Sequence, residues 1–143
     1  MSAIDPTQIS AEEFQQLVGN SSDDEILATV HGAGTASVLD RVFEVMKERF
    51  VPERAGGVNA VAQFTIRDGE DSHVYHLAIA NGTCETARGA AEAPTVTLGT
   101  DLVNYLKLIA GKANGPMLFM GGKLQVSGDF MLAQRLMAFF DTP

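Results

Sequence analysis

The sequence predicts an α+β domain in which a five-stranded mixed sheet is covered by helices on one face. Three observations lead to this fold class. Apolar residues repeat with helical spacing up to about residue 50, alternate as in strands from residue 60, and return to helical spacing after residue 100. A late alternating stretch from Lys123 to Ser127 adds the fifth strand between two helical segments.

Two short helices are predicted between residues 7 and 32. Ser10 and Ser22 each stand three residues before a glutamate, the capping-box pattern that marks a helix start. A third helix is predicted over 37–50, where Val38, Leu39, Val42, Phe43 and Met46 form one apolar stripe.

The middle of the chain predicts an antiparallel meander followed by a fourth strand. Turn chemistry separates the strands, with Asp68-Gly69 at the first turn and Asn81-Gly82 at the second. The predicted strands are 60–67, a return strand around 75–79, 83–88 and a strand that opens at Pro94.

The last third predicts a helix over 101–110 with Thr100 as its N-cap. This helix is apolar nearly all round, so it must be covered on both sides. Pro116 suits the first position of a short helix, and Asp129 suits the N-cap of the final one.

Composition and charge limit the function classes. The chain of 143 residues carries ten basic and eighteen acidic residues, for a net charge of −8. No basic patch for nucleic acid is visible, and strong adsorption to anionic headgroups is disfavoured. No apolar run approaches the roughly 20 residues of a membrane span, and no signal peptide is recognisable, so we expect a cytoplasmic protein. Cys84 is the single cysteine and excludes an intrachain disulfide.

Residues that carry chemistry are sparse. His73 and His76 lie three apart on a predicted strand, so they face opposite sides and do not share a metal. No nucleophile elbow, zinc-binding helix motif or phosphate-binding loop is present. We therefore expect no catalytic residue, no metal and no cofactor.

The most specific segment is the C-terminal one. From Phe119 to Asp129 it reads F-x-x-G-K-L-x-V-x-G-D, and a helix rich in Met, Leu and Phe follows. This resembles the C-terminal end of the sterol carrier protein type 2 domain. The resemblance covers about 35–141 in element order, so residues 35–143 are assigned to a lipid-binding domain and 1–34 to an N-terminal helical extension.

The resemblance implies a hydrophobic lipid tunnel between the sheet and the helices. Periodicity alone favours plain core packing for the same Met and Phe residues, so the two interpretations compete. We further expect the C-terminal helix to act as a lid over the tunnel. Lys123 is a candidate contact for a lipid headgroup, although a solvated lysine at a strand edge explains it more readily. The predicted ligand-binding residues are Phe64, Leu77, Leu102, Leu106, Ile109, Met117, Met120, Leu132, Leu136, Phe139 and Phe140, the last two forming the lid.

The predicted function is non-enzymatic binding and transfer of lipids, with sterols, fatty acids and fatty acyl-CoA as ligand classes that the resemblance implies. One alternative is an accessory enzyme or lipid-presenting partner in sterol or polyketide metabolism, for which Tyr75, Tyr105, His76 and Cys84 are the available polar groups. Another is a protein-interaction module. A homodimer or a partner enzyme is a candidate assembly, while nucleic acid and integral membrane association are not expected. The C-terminal residues 141–143 lack the small-basic-Leu tripeptide of peroxisomal relatives, which also favours the cytoplasm.

Overall fold

The structure, a computed structural model, describes residues 8–140. Residues 1–7 of the predicted N-terminal extension and residues 141–143 of the predicted lipid-binding domain lie outside the described part. The element order matches the prediction, with a short extra helix, α4, before the sheet. The elements are α1 (Ala11–Asn20), α2 (Asp23–Ala33), α3 (Thr35–Glu48), α4 (Pro52–Ala55), β1 (Ala60–Asp68), β2 (Asp71–Ala80), β3 (Thr83–Arg88), β4 (Val96–Asp101), α5 (Leu102–Ile109), α6 (Gly115–Met120), β5 (Leu124–Gly128) and α7 (Phe130–Leu136), followed by a 3₁₀ turn over Met137–Phe139.

The five strands form one mixed sheet in the order β3-β2-β1-β4-β5. The β1–β4 pair is parallel, with Phe64 opposite Leu98, and the other pairs are antiparallel. Leu98 in turn stands opposite Val126 of β5. The predicted five-stranded mixed sheet, including the strand around 123–127, is confirmed.

Helices cover one face of this sheet, as predicted. Alternate residues of β1, β2 and β4 are buried beneath the helices, while the opposite face is half-buried or exposed. An aromatic cluster anchors the helices there. The Phe43 ring of α3 stacks on Tyr75 at 4.5 Å between centroids and lies 5.6 Å from Phe64 and 5.4 Å from Tyr105. Such pairs add stabilisation beyond their buried area.

Helix α5 is largely buried, as its apolar sequence requires: all six of its apolar side chains are buried, and Asn104 and Lys107 are half-buried. Its N-cap is Asp101, whose carboxylate accepts from the Asn104 amide at 2.8 Å. The predicted cap, Thr100, is wrong. That residue is still in β4, and its buried hydroxyl donates to the Lys123 carbonyl at 2.8 Å, just before β5.

The N-terminal helices join the same core as the sheet. Both predicted capping boxes are present, and the buried side chains of this segment are Ile9, Phe14, Val18, Ile26 and Val30. An ion pair between Asp23 and Lys107, 2.6 Å apart, also links α2 to α5. A boundary at residue 34 stays a prediction, but across the described residues no separate core divides the chain there.

Candidate functional site

A cavity of about 490 Å³ lies between the β4–β5 end of the sheet and the helices above it. This volume falls within the range of roughly 300–1,000 Å³ that is typical of small-molecule sites. Four helices contribute to its wall: α3, α5, α6 and α7. The lining side chains include Val45, Met46, Arg49, Leu98, Leu108, Ile109, Phe119, Met120, Leu124, Val126, Phe130, Ala133, Leu136 and Phe140.

The sheet supplies the floor of the cavity. Leu98 of β4 and both Leu124 and Val126 of β5 point inward because residues two apart on a strand share a face. Above this floor, Leu108 and Ile109 come from the last turn of α5, and Leu136 comes from α7. Only the last turn of α5, at Leu108 and Ile109, therefore borders the cavity, while Leu102 and Leu106 pack in the core.

The rim of the cavity between α6 and α7 is apolar and accessible. Phe119 and Phe130 meet edge to face at 5.1 Å, and they are 40% and 41% exposed. Met120 beside them is 85% exposed. Large apolar side chains are rarely exposed together unless they contact something, so this rim is a candidate contact surface.

Arg49 is the one charged residue of the cavity wall in the described part of the chain. It occupies the C-cap of α3, where the helix dipole favours a cation. Its Nε atom is buried and has no hydrogen-bond partner among the described residues. The sequence reasoning missed Arg49, although it stands three residues after Met46 and seven after Val42 on the apolar stripe of α3, which is a usable signal.

The structure places only part of the predicted ligand-binding set around the cavity. Ile109, Met120, Leu136 and Phe140 line it. Met117 lies instead on a second surface depression, together with Lys112 and Lys123. The remaining residues are buried in the closed core and do not line the cavity: Phe64, Leu77, Leu102, Leu106, Leu132 and Phe139. Of the predicted lid, Phe140 forms wall and Phe139 forms core.

The wall residues that the sequence reasoning missed come from two sources. Leu98, Leu124 and Val126 follow the alternation of a half-buried strand, but core and cavity walls have the same alternation. Phe119 and Phe130 lie within the C-terminal segment that carries the resemblance, and only the tertiary structure brings them together at the rim of the cavity. The spacing of residues in the sequence does not indicate that these two rings contact each other.

The polar side chains weighed for catalysis lie away from the cavity. The Tyr75 hydroxyl donates to the Asp40 carboxylate at 2.7 Å, and the Tyr105 hydroxyl donates to the Met46 sulfur at 3.3 Å. Burial raises the pKa of both phenols. It also raises the pKa of the Cys84 thiol to about 11, so little reactive thiolate exists near neutral pH. The Nδ1 of His76 donates to the Gly89 carbonyl at 2.9 Å.

Neither a cluster of metal-binding side chains nor a membrane-spanning helix is found in the described part of the chain. Across residues 8–140 no group of three His, Cys, Asp or Glu side chains is arranged to hold a metal ion. Within the same range, none of the helices has the length and apolarity needed to cross a membrane.

Comparison with known proteins relates the chain to both short and long relatives. Oleate-induced peroxisomal protein POX18 of Candida maltosa is 34% identical over 115 residues, which cover 78% of this chain and 90% of that protein. Hydroxysteroid dehydrogenase-like protein 2 of Xenopus laevis is 29% identical over 102 residues, which cover 71% of this chain and 24% of that protein. The chain therefore spans about a quarter of the length of this second relative.

The fold of this chain superposes on the fold of a protein of known structure. Palmitated SCP2L2 from Aedes aegypti superposes with a TM-score of 0.58 at 22% identity, covering 69% of this chain and 90% of that one. A model of the SCP-2 sterol transfer family matches residues 39–141, which contain all five strands and helices α4 to α7. The chain therefore belongs to the SCP-2 sterol transfer family, a family of lipid-binding and lipid-transfer domains.

Proposed function

We propose that this protein binds a single lipid molecule in the 490 Å³ cavity and transfers it without catalysing a reaction. Sterols, fatty acids and fatty acyl-CoA are the ligand classes considered. The observation that supports this proposal most directly is the chemistry of the side chains that line the cavity. Among the described residues, the cavity is lined by apolar side chains, one arginine and two amides, with no nucleophile and no general acid or base.

Apolar burial is sufficient as a driving force. Each methylene removed from water contributes about 0.8 kcal/mol, so ten of them contribute roughly 8 kcal/mol before the costs of ordering the ligand. A carrier needs affinity of this moderate size, since a ligand held much more tightly leaves too slowly for delivery.

The rim between α6 and α7 is the proposed route of uptake and release. Separation of Phe119 from Phe130 opens the cavity without disturbing the sheet. The exposed Met120 and Met131 next to this pair extend the apolar surface outward, which suits contact with a donor or acceptor membrane. This pair replaces Phe139 and Phe140 as the proposed lid.

The comparisons support a lipid ligand. The Aedes aegypti protein of known structure is described as palmitated, and the Candida maltosa relative is named as oleate-induced. The name of the Candida maltosa relative also describes it as peroxisomal, so a cytoplasmic location for this chain stays a prediction.

An accessory or lipid-presenting role is the second candidate. It is favoured by the Xenopus laevis relative, in which the matching segment is a minor part of a longer protein named for a dehydrogenase. In that role the apolar rim binds a partner enzyme or a second copy of the chain. The two candidates share the cavity and differ in what the rim contacts.

Native mass spectrometry combined with displacement of a fluorescent fatty acid tests the proposal. We expect a co-purified lipid, and competition that strengthens from octanoate to hexadecanoate because each added methylene is buried. Equal competition by the two acids would show that apolar burial does not drive binding. Absence of any lipid binding, with a stable complex formed at the rim, would favour the second candidate.

A further inference from the structure

Three methionines at or beside the rim of the cavity hold their side chains largely in solvent. Met117, Met120 and Met131 are 71%, 85% and 67% exposed. With Phe119 and Phe130 they make up the exposed large apolar side chains of the described part of the chain. No Leu, Ile or Val side chain is exposed in that part, so methionine is the only large non-aromatic apolar residue that it presents to solvent.

The positions of these methionines follow the two helices of the rim. Met120 ends α6 and lines the cavity, and Met117 lies about one turn earlier in the same helix. Met131 belongs to the first turn of α7, next to Phe130, whose ring meets Phe119 of α6. The exposed sulfur atoms therefore lie on both helices that border the proposed route of uptake and release.

An exposed thioether is open to oxidation by two electrons. Its sulfur attacks one oxygen of hydrogen peroxide, and an S–O bond forms as the O–O bond breaks. A proton moves to the departing oxygen, so the peroxide is reduced to water and the side chain becomes methionine sulfoxide. The sulfoxide is polar, and methionine sulfoxide reductases return it to the thioether while two thiols are oxidised to a disulfide and water is released.

Met46 provides an internal comparison in the wall of the same cavity. Its side chain is 2% exposed, and its sulfur accepts a hydrogen bond from the Tyr105 hydroxyl at 3.3 Å. Because susceptibility to oxidation follows exposure, peroxide should reach this sulfur far more slowly than those of the rim. Oxidation of the described methionines should therefore make the rim polar and leave the inner wall apolar.

We propose that Met117, Met120 and Met131 are reversible oxidation sites, whose sulfoxides slow the transfer of a lipid between the cavity and a membrane. This inference rests on the proposed lipid-transfer function and adds a form of regulation to it. Sulfoxides reduce the apolar surface of the rim that contacts the membrane. A lipid inside the cavity keeps its contacts with Leu98 and Val126 of the floor, so its equilibrium affinity changes little.

The test measures transfer and binding with the same protein before and after treatment with hydrogen peroxide. Protein loaded with a fluorescent fatty acid is mixed with phosphatidylcholine vesicles that carry a quencher, and the rate of quenching reports transfer. Peptide mapping by mass spectrometry should find sulfoxide at Met117, Met120 and Met131 and leave Met46 unmodified. The transfer rate should fall roughly tenfold, which is less than the effect of withdrawing one methionine side chain from an apolar environment. The affinity for hexadecanoate should remain nearly unchanged.

A triple variant separates oxidation of the rim from oxidation elsewhere in the chain. Met117→Leu, Met120→Leu and Met131→Leu together keep the rim apolar and remove its sulfur atoms. This protein retains the other methionines, and its transfer rate should be the same with and without peroxide. Cys84→Ala is the matched control, because it removes the single thiol and keeps the rim. Its transfer rate should fall on oxidation as that of wild type does.

Repair provides a second test that needs no variant. Methionine sulfoxide reductases A and B act on the two epimers of the sulfoxide, so together they should restore the transfer rate of oxidised wild type. A rate that stays low after the sulfoxides have disappeared would overturn the inference.

Three other results would also overturn it. The first is an equal loss of transfer in the triple variant, and the second is sulfoxide at all three positions with unchanged transfer. The third is a loss of hexadecanoate affinity as large as the loss of transfer, which would place the effect inside the cavity. Unoxidised wild type that does not transfer the fluorescent fatty acid would instead contradict the proposed function itself.

Discussion

A substitution that fills the cavity from the sheet side can distinguish a ligand-binding chamber from a loosely packed core. Val126 is half-buried on β5 and lines the cavity floor, so Val126→Trp places an indole inside the chamber. Leu106→Trp is the matched control. Leu106 is 2% exposed on α5 and lies in the closed core away from the cavity.

The two substitutions should change stability in different directions. In a close-packed core, an added ring forces off-rotamer side chains and costs about 1–3 kcal/mol. Leu106→Trp should therefore lower the melting temperature of the ligand-free protein by several degrees. Val126→Trp should hold or raise it, because the indole replaces empty volume with packed atoms.

Ligand affinity should show the reverse pattern. If the indole takes the space of about three ligand methylenes, the loss is roughly 2.4 kcal/mol, or about fiftyfold in the dissociation constant. Displacement of a fluorescent fatty acid by hexadecanoate measures this loss, and differential scanning fluorimetry without ligand measures stability. A destabilised Val126→Trp protein that binds hexadecanoate as wild type does would refute the assignment of this chamber to the ligand.

Three further predictions concern the scaffold. The Arg88 hydrogen bond lowers the pKa of Asp40, so this pair stabilises the fold above the ordinary aspartate pKa of 3.8 and the contribution is lost as the pH falls through the lowered value. Asp40→Asn should therefore melt lower than wild type near neutral pH, and acid titration of both melting temperatures should bring them together. Gly128→Ala should lower the unfolding free energy in urea by about 1–3 kcal/mol, because φ is +95° and a Cβ would lie 2.5 Å from the Thr95 carbonyl oxygen; an unchanged midpoint would contradict this geometry. Phe14→Ala should cost about 3–5 kcal/mol while leaving the hexadecanoate affinity of the folded protein unchanged, since α1 is not in the cavity wall; a matching loss of affinity would mean that α1 shapes the site.

Local interactions explain why so much of the fold could be predicted. The capping boxes at Ser10 and Ser22 involve groups three residues apart, and the turn at Asn81-Gly82 needs a left-handed backbone that these residues tolerate. Both signals lie within a few positions of the chain. The misplaced N-cap at Thr100 shows the limit of such reasoning, because pairing of β4 with β5 extends the strand to the next residue.

The site residues were less predictable because hydrophobic spacing identifies a buried face and does not identify what lies across from it. Leu106 and Ile109 share the apolar side of α5, yet the first packs against the core and the second borders the cavity. The difference depends on the positions of α6, which follows α5 after a loop, and of α7, which follows β5. Packing distances between such distant elements are not encoded in any local pattern.

The sequence by itself determined the α+β class, the order of the elements, the fifth strand and the family resemblance, since each depends on periodicity or on a short motif. Only the tertiary structure decided which apolar residues line a void, that Phe119 and Phe130 meet at its rim, and that the Arg49 Nε in its wall meets no partner among the described residues. A void is a mismatch between surfaces contributed by α3, α5, α6, α7 and the β4–β5 edge. Such a mismatch exists only once all five surfaces are in place.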